Sequence, residues 1–330
     1  MPHSTFPNYR LGSFLSLATA FLLATQEPFS FLAARRLTTM QFVCLTQIAL
    51  LISIPLVTFR PPSRRDFVAL LGDASNYGKL AVIFAIGMSG LLLYNFGLSN
   101  AHPIIVSAIL NLSPFWAAMV ALIISRVPIP VSPAVFFACF LGAFVGAMAV
   151  AWSQAGDAAR PTMGQLADNL LHGSWIYIIP VPIGSALGGT LIGRWFAKYE
   201  ESAAVAANFF VANVVLIPAT VFILYRRSEL EFDAQFVAVA LMIAGTIIAA
   251  SVGRTLYQIT LTVTGGDNGF VTMFWNLVPA LTALISLAMS WWIADLHFVV
   301  DPMFFLGLAL IAASLLVFSL KSWRQPARPA

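Results

Sequence analysis

Glu27 is the first residue whose chemistry its neighbours do not explain. It precedes Pro28 in a run that is otherwise mostly apolar from about Leu11 to Ala34. An ionisable group in a membrane span costs roughly 2.5–3.5 kcal/mol on insertion scales, so it marks a function or a dedicated partner. A carboxyl that takes and releases a proton would change the charge facing a solute. The plain alternative is an acid hydrogen-bonded to Gln26 or to another helix. Arg254, inside the apolar run Phe236–Ile259, is the second such group, and its plain alternative is snorkelling to the headgroups.

Two further positions share a pattern. Asn111-Leu112-Ser113-Pro114 and Asn276-Leu277-Val278-Pro279 each interrupt an apolar run. Proline has no N–H, so Pro114 deprives the carbonyl of Leu110, and Pro279 that of Trp275, of its helix partner. The asparagines, three residues earlier, share the proline's face of the helix. Each break therefore offers a freed carbonyl and an amide to a solute or to a neighbouring helix; the alternative is a packing kink satisfied by a nearby Ser or Asn. Tyr94, Phe96, Trp116, Tyr257, Phe274 and Trp275 cluster around the two breaks. They suit a pocket for an amphipathic metabolite, with ring faces for packing and hydroxyls for orientation. Core or lipid-facing packing is the alternative, and the favoured one for Phe96 and Phe274.

These groups must be held by membrane helices. Hydrophobic residues make up 60% of the 330 and charged residues 9%, against roughly 25% charged in soluble domains, and mean hydropathy is +0.89. The net charge of +4 is spread between apolar runs rather than along one stripe, which sets orientation in a bilayer and gives no nucleic-acid surface. At about 20 apolar residues per span, the spacing predicts ten: Leu11–Ala34, Leu37–Phe59, Leu80–Ser99, Pro103–Ser125, Ser132–Ser153, Ser174–Ala197, Ala203–Tyr225, Phe236–Ile259, Gly269–Ile293 and Pro302–Leu320. The first is longer than a signal-peptide core of about 7–15 residues and is read as retained. Arg60–Arg65 and Arg126–Pro130 read as polar linkers, and no linker is long enough for a soluble core.

With the N-terminus inside, eleven of the 17 Lys and Arg fall on the inner side and five on the outer, with Arg254 in the membrane. That asymmetry predicts both termini cytoplasmic. On this topology Glu27 and Arg254 are separated by about 12 Å in depth within a core about 30 Å thick, so each serves one end of a pathway rather than forming a pair.

The plan repeats. Asn111 and Asn276 are 165 residues apart, Pro55 and Pro218 are 163 apart, and Phe67 and Phe236, each in an x-Phe-Val-Ala sequence, are 169 apart. A duplicated unit of five helices enters the membrane inverted, because five is odd. The fold class is thus all-α integral membrane, ten helices as a five-plus-five inverted repeat, with a substrate site near the midplane between the halves. Residues 1–155 form the first repeat, 156–173 a linker, 174–320 the second repeat and 321–330 a cytoplasmic tail. Ala138, Gly142 and Gly146, matched by Ala309 and Ala313, form small-residue stripes for close helix approach within the monomer, a homodimer contact being the alternative. Trp291 and Trp292 are placed as interfacial anchors. Cys44 and Cys139 read as packed thiols, and His3, His102, His172 and His297 lack ligand spacing, so neither metal nor cofactor is expected.

Ten spans as five plus five, with Ile109–Leu122 (ILNLSPFWAAMVAL) and Phe274–Ser286 (FWNLVPALTALIS) at matching places, resemble the EamA-like group of the drug/metabolite transporter superfamily. Where many relatives carry Gly-Glu after the fourth helix, this chain has Arg126-Val127, so no role for that acid carries over. The resemblance implies a bacterial inner-membrane exporter of a small organic solute, an amino acid or drug-like molecule, working by alternating access. Glu27 admits proton coupling. Uptake or exchange, as in the sugar-nucleotide and triose-phosphate carriers of the superfamily, would need more buried basic residues than Arg254 alone. From other classes, an intramembrane lipid-modifying enzyme would want two or more acids or histidines together, and a scaffold would need no polar interior. The expectation is a transporter and not an enzyme. Its substrate pathway comprises Glu27, Tyr94, Asn111, Pro114, Trp116, Arg254, Tyr257, Trp275, Asn276 and Pro279.

Overall fold

The computed structural model describes residues 8–100, 103–126, 129, 131–153, 174–229, 234–263, 274–297 and 300–323, and every element in them is helical. The helices are α1 (Tyr9–Arg36), α2 (Thr39–Val57), α3 (Pro61–Gly72), α4 (Tyr77–Asn100), α5 (Pro103–Leu110), α6 (Ser113–Ser125), α7 (Pro133–Ser153), α8 (Pro180–Trp195), α9 (Glu201–Arg226), α10 (Ala234–Val263), α11 (Val278–Ser290) and α12 (Pro302–Trp323). Short 3-10 turns at Ser174–Ile178 and Phe274–Leu277 lead into α8 and α11. Among the described residues, nine helical stretches are long and apolar enough to cross a membrane. The expected ninth span, Gly269–Ile293, contributes a 13-residue helix, α11, preceded by the turn Phe274–Leu277. The rest of that span, the inter-repeat linker and the C-terminal tail beyond Trp323 lie outside the described residues.

Local chemistry sets several boundaries. Asn8 starts α1, its side-chain oxygen accepting from the Leu11 N–H at 3.1 Å. Thr38 and Gln41 form a reciprocal capping box at the start of α2, satisfying two of the N–H groups a helix start leaves over. Pro114 and Pro279 fall at the start of α6 and α11, the helix position that best accommodates proline. The same proline that breaks each span thus restarts it.

Arg60–Arg65 is not a linker. It opens the 12-residue helix α3, with Pro61 and Pro62 at its first positions. Polarity marked the segment as unfit for hydrocarbon but said nothing against a surface helix. Leu70 of α3 is fully buried, Phe67 meets Phe210 of α9 edge-on at 6.1 Å, and the Ser63 and Ser202 hydroxyls are 2.7 Å apart. Asp66 accepts from the Glu200 N–H at 3.0 Å, so a carboxylate of α3 caps the start of α9, where Glu200 itself makes no side-chain cap.

These contacts define one end of the molecule. Arg60 approaches Glu200 at 3.9 Å, Lys79 lies over the Phe196 ring at 6.0 Å and Arg194 donates to the Ile124 carbonyl at 3.0 Å. Arg60, Arg64, Arg65, Lys79, Arg126, Arg194 and Lys198 all belong to this basic end. The start of α1 lies there too, through the Asn8 N–H to the Val263 carbonyl at 3.0 Å, and Thr255 of α10 meets the Leu56 carbonyl at 3.2 Å. At the opposite end, Thr38 and Gln41 both bond Glu229, each at 2.8 Å, beside Arg226 and Arg227.

Helix pairing runs across the chain. α1 lies antiparallel on α10, and Thr19 donates to the Gly253 carbonyl at 3.3 Å. α8 and the turn before it lie along α4. α2 packs on α9 and α10, α9 also on α4, α6 on α8, α11 on α1, and α7 on α12. The largest apolar cluster ties Phe31, Phe42, Leu98, Ile109, Ile178, Ile243 and Leu296 together, joining parts of both halves towards the Arg35 end. Two further apolar groups each draw on both halves of the chain. One group, with Leu80, Phe196 and Ala204, joins α3, α4, α8 and α9. Another, with Phe115, Phe136 and Phe318, joins α5, α6, α7 and α12.

The small-residue stripes are partly reassigned. Gly142 and Gly146 do face α12, but Ala138, Ala309 and Ala313 are exposed. The facing residues are Gly307 and Ser314: a side chain begun at Gly146 would stand 2.6 Å from the Gly307 carbonyl oxygen, and one begun at Gly307 2.6 Å from that of Gly146. The rotation of α12 about its axis decides which small residues meet, and spacing alone does not fix that rotation. Cys44 and Cys139 are free and buried, and Trp291 and Trp292 are exposed by more than three quarters.

Candidate functional site

Pro28 is where the site begins. Lacking an N–H, it leaves the carbonyl of Ala24, four residues earlier, without its helix bond. That carbonyl is not left empty: Thr282 of α11 donates its hydroxyl to it at 3.3 Å, and Ser107 of α5 donates to Thr282 at 3.3 Å. Ser107 is 1% exposed and Thr282 0%. A buried carbonyl without a donor costs about 1–3 kcal/mol, so the two hydroxyls match a defect that the α1 sequence creates. They also join α1, α5 and α11 at one level.

On the adjoining turn of α1, Glu27 is buried, and the Tyr94 hydroxyl of α4 donates to its carboxylate at 2.8 Å. The Ser30 hydroxyl approaches the same phenol. Next to Tyr94, the side-chain N–H₂ of Asn95 is buried and donates to no described group. The site therefore combines one carboxylate, one phenol and a run of hydroxyls inside the largest apolar cluster, contributed by α1, α4, α5 and α11. Such a group can hold a proton, or accept hydrogen bonds from an ammonium or hydroxyl solute.

Of the residues predicted from sequence, Glu27 and Tyr94 come together. Asn111 stands one turn along α5 from Ser107, and its side-chain amide donates to the Ser107 carbonyl at 2.7 Å. Pro114 does strip the carbonyl of Leu110, but Ser113 fills it with its own hydroxyl. At this break the polar groups are satisfied on their own helix. Pro279 is buried at the start of α11. Trp116 belongs to the α7 side, its ring edge-on to Phe140 at 5.5 Å and its indole N–H buried without a described acceptor. Tyr257 is half-buried towards the basic end, facing Glu201. Phe96 is exposed and meets Tyr177 edge-on at 4.7 Å.

Arg254 follows Gly253, which lies level with Thr19. Thr19 is eight residues before Glu27, about 12 Å at about 1.5 Å per residue, so the backbone sets these two positions well apart. The side chains of Arg254, Trp275 and Asn276 lie outside the described residues, as do His3, His102 and His172. Among the described residues, no three His, Cys, Asp or Glu side chains gather as a metal site would need.

Ser30, Ser107 and Thr282 were missed from sequence. Pro28 identifies the Ala24 carbonyl as needing a donor, but only the fold shows which helix supplies it.

No protein family's sequence profile matches the chain, and no curated protein matches it. Among solved structures, one described as "Crystal structure of protein" aligns with a TM-score of 0.57 at 15% identity, over 95% of this chain and 99% of the other. At that identity the likeness concerns the fold alone: nearly the whole path of this chain is similar to that of another solved protein.

Proposed function

We propose that the protein is a secondary transporter of a small organic solute, built as two inverted five-helix halves and resembling the EamA-like drug/metabolite transporters. The observation that carries the reading is the pairing of its helices. Exchanging the halves exchanges α1 with the Ser174–Trp195 stretch, α2 with α9, α4 with α10, the α5–α6 pair with α11 and its preceding turn, and α7 with α12. Under that exchange the α1–α10 contact becomes the α8–α4 contact, α11 on α1 becomes α6 on α8, and α2–α10 becomes α9–α4, while α2–α9 and α7–α12 map onto themselves. Inverted repeats of this kind let a site between the halves open alternately to either side. By the excess of Lys and Arg, the basic end is the cytoplasmic one.

Glu27 with Tyr94 is the coupling site in this proposal, and a proton the coupling ion. Export, of an amino acid or drug-like solute, rests on the family resemblance. The test is reconstitution in proteoliposomes, with currents recorded under an imposed pH gradient for a panel of amino acids, amines and aromatic cations. Wild-type protein is expected to give gradient-driven flux for at least one solute class, and Glu27→Gln to abolish that drive while keeping exchange down a solute gradient. Undiminished gradient-driven flux in the variant removes Glu27 from coupling, and no wild-type flux across the panel removes the transport reading.

A further inference from the structure

We propose that the cleft between α6 and α8 at the basic end binds an anionic phospholipid, its phosphate held by Arg126 and Arg194 and one acyl chain laid along the glycine face of α8. The cleft is a cavity of about 860 Å³ lined by Ile123, Ile124, Arg126, Thr190, Gly193 and Arg194. Two of those six residues carry guanidinium groups and none is acidic. Guanidinium carries five N–H donors in a fork that fits phosphate oxygens. Arg194 donates one of them, from Nη1, to the Ile124 carbonyl at 3.0 Å, which fixes the group over the end of α6. Arg126 closes that same helix: its N–H bonds the Ala121 carbonyl and its backbone is left-handed, with φ of 53°. The two arginines are therefore positioned by the ends of two helices rather than carried on free loops.

The rest of the cleft favours a lipid over a soluble anion. On α8, a side chain begun at Gly188, Gly189 or Gly193 would meet nothing within 4 Å, so this face of the helix is open and smooth. Gly189 and Gly193 are one turn apart and continue from the charged mouth along the helix. The facing wall is apolar, formed by Ile123 and Ile124, with Ile123 73% exposed. A phosphate with an attached chain uses both the arginines and this groove, whereas inorganic phosphate uses only the arginines. A second copy of the chain on the same face would bring its own arginines against these. The place also suits a lipid, since basic pockets between spanning helices on the cytoplasmic side are headgroup sites.

The test is native mass spectrometry of the full-length protein in neutral detergent, titrated with phosphatidylglycerol and with phosphatidylcholine, alongside thermal unfolding with inorganic phosphate. Phosphatidylglycerol is expected to stay bound where phosphatidylcholine is lost. Each of Arg126→Gln and Arg194→Gln should weaken it about fivefold, from about 1 kcal/mol per basic residue at a membrane surface. Arg126→Gln leaves the Arg194–Ile124 contact in place and decides the matter if the Arg194 variant fails to fold. Gly189→Leu with Gly193→Leu keeps both charges and should also release the lipid. Three results overturn the proposal: phosphatidylglycerol binding unchanged by Arg126→Gln, stabilisation by millimolar inorganic phosphate equal to that by phosphatidylglycerol, or a dimer in wild type that the glycine variants dissociate.

Discussion

Replacing Thr282 by Val removes one hydroxyl and almost no volume, and Pro28 makes its effect calculable. In the wild type the Ala24 carbonyl has no helix donor, and Thr282 supplies the substitute at 3.3 Å. Thr282→Val therefore leaves a buried carbonyl unsatisfied and removes the acceptor of the Ser107 hydroxyl. Unsatisfied buried groups cost about 1–3 kcal/mol, while hydrogen bonds between membrane helices average about 0.6 and reach about 1.7 kcal/mol by double-mutant cycles. The expected loss is about 1–2 kcal/mol. Pro28→Ala changes the prediction, because an alanine at that position carries the N–H that Ala24 lacks. In the Pro28→Ala background, Thr282→Val should cost about 0.5 kcal/mol or less, leaving a coupling energy of about 1 kcal/mol. The four proteins would be unfolded with SDS in mixed micelles and followed by circular dichroism. Additive free energies would refute the reasoning, since they would mean that Thr282 does not compensate for Pro28.

Ser113→Ala should behave in the same way towards Pro114→Ala, with a loss of about 1 kcal/mol that the proline replacement cancels, measured in the same assay. Gly146→Leu and Gly307→Leu should each destabilise the α7–α12 contact by about 1–3 kcal/mol, because a side chain there meets a backbone oxygen that cannot yield. Ala309→Leu, on the exposed face, should change SDS unfolding by less than about 0.5 kcal/mol. Asp66→Ala removes the cap of α9 and should cost about 1 kcal/mol, with hydrogen exchange at the first turn of α9 rising before exchange elsewhere. Tyr94→Phe deletes the donor to Glu27 and is expected to slow gradient-driven flux while leaving the amount of folded protein in the membrane unchanged, as read by quantitative blotting.

The membrane class and most helix positions were legible because they depend on local composition: runs of about 20 apolar residues report spans whatever their neighbours. Proline positions were legible too, and with Pro114 the carbonyl of Leu110 that loses a partner; the same rule applied to Pro28 points to Ala24, a step the sequence reading did not take. The nearby Ser that repairs the Pro114 break was open as an alternative, but the donor to the Ala24 carbonyl was not legible. Ser113 sits beside its carbonyl in sequence, yet Thr282 is 258 residues from Ala24, and only the crossing of α1 by α11 makes them neighbours. The same limit explains why Glu27 was found without Tyr94 as its partner, and why Ala309 was named where Gly307 makes the contact. Helix α3 was hidden for a different reason. Its opening residues are polar and rich in proline, and it is stabilised by α9, whose sequence begins 140 residues later.

The two kinds of polar group in the interior differ in what they require of the fold. The Ala24 carbonyl with Thr282 and Ser107, and the Leu110 carbonyl with Ser113, are closed accounts of donors and acceptors: a proline removes one N–H and a hydroxyl returns it. They explain how kinked helices remain stable in lipid, where every backbone group must find a partner inside the protein, and they need no solute. Glu27 is different, because nothing in the backbone of α1 demands a carboxyl. A glutamine or leucine at that position would leave the Pro28 kink and its repair by Thr282 intact. The acid is the component that stability does not call for, and it sits one turn from the hydroxyls that join both halves of the chain. That separation is what makes Glu27→Gln a test of coupling rather than of folding: it should leave SDS unfolding close to wild type while removing the response to a pH gradient. A variant that lost both together would instead mark the carboxyl as one more member of the structural repair.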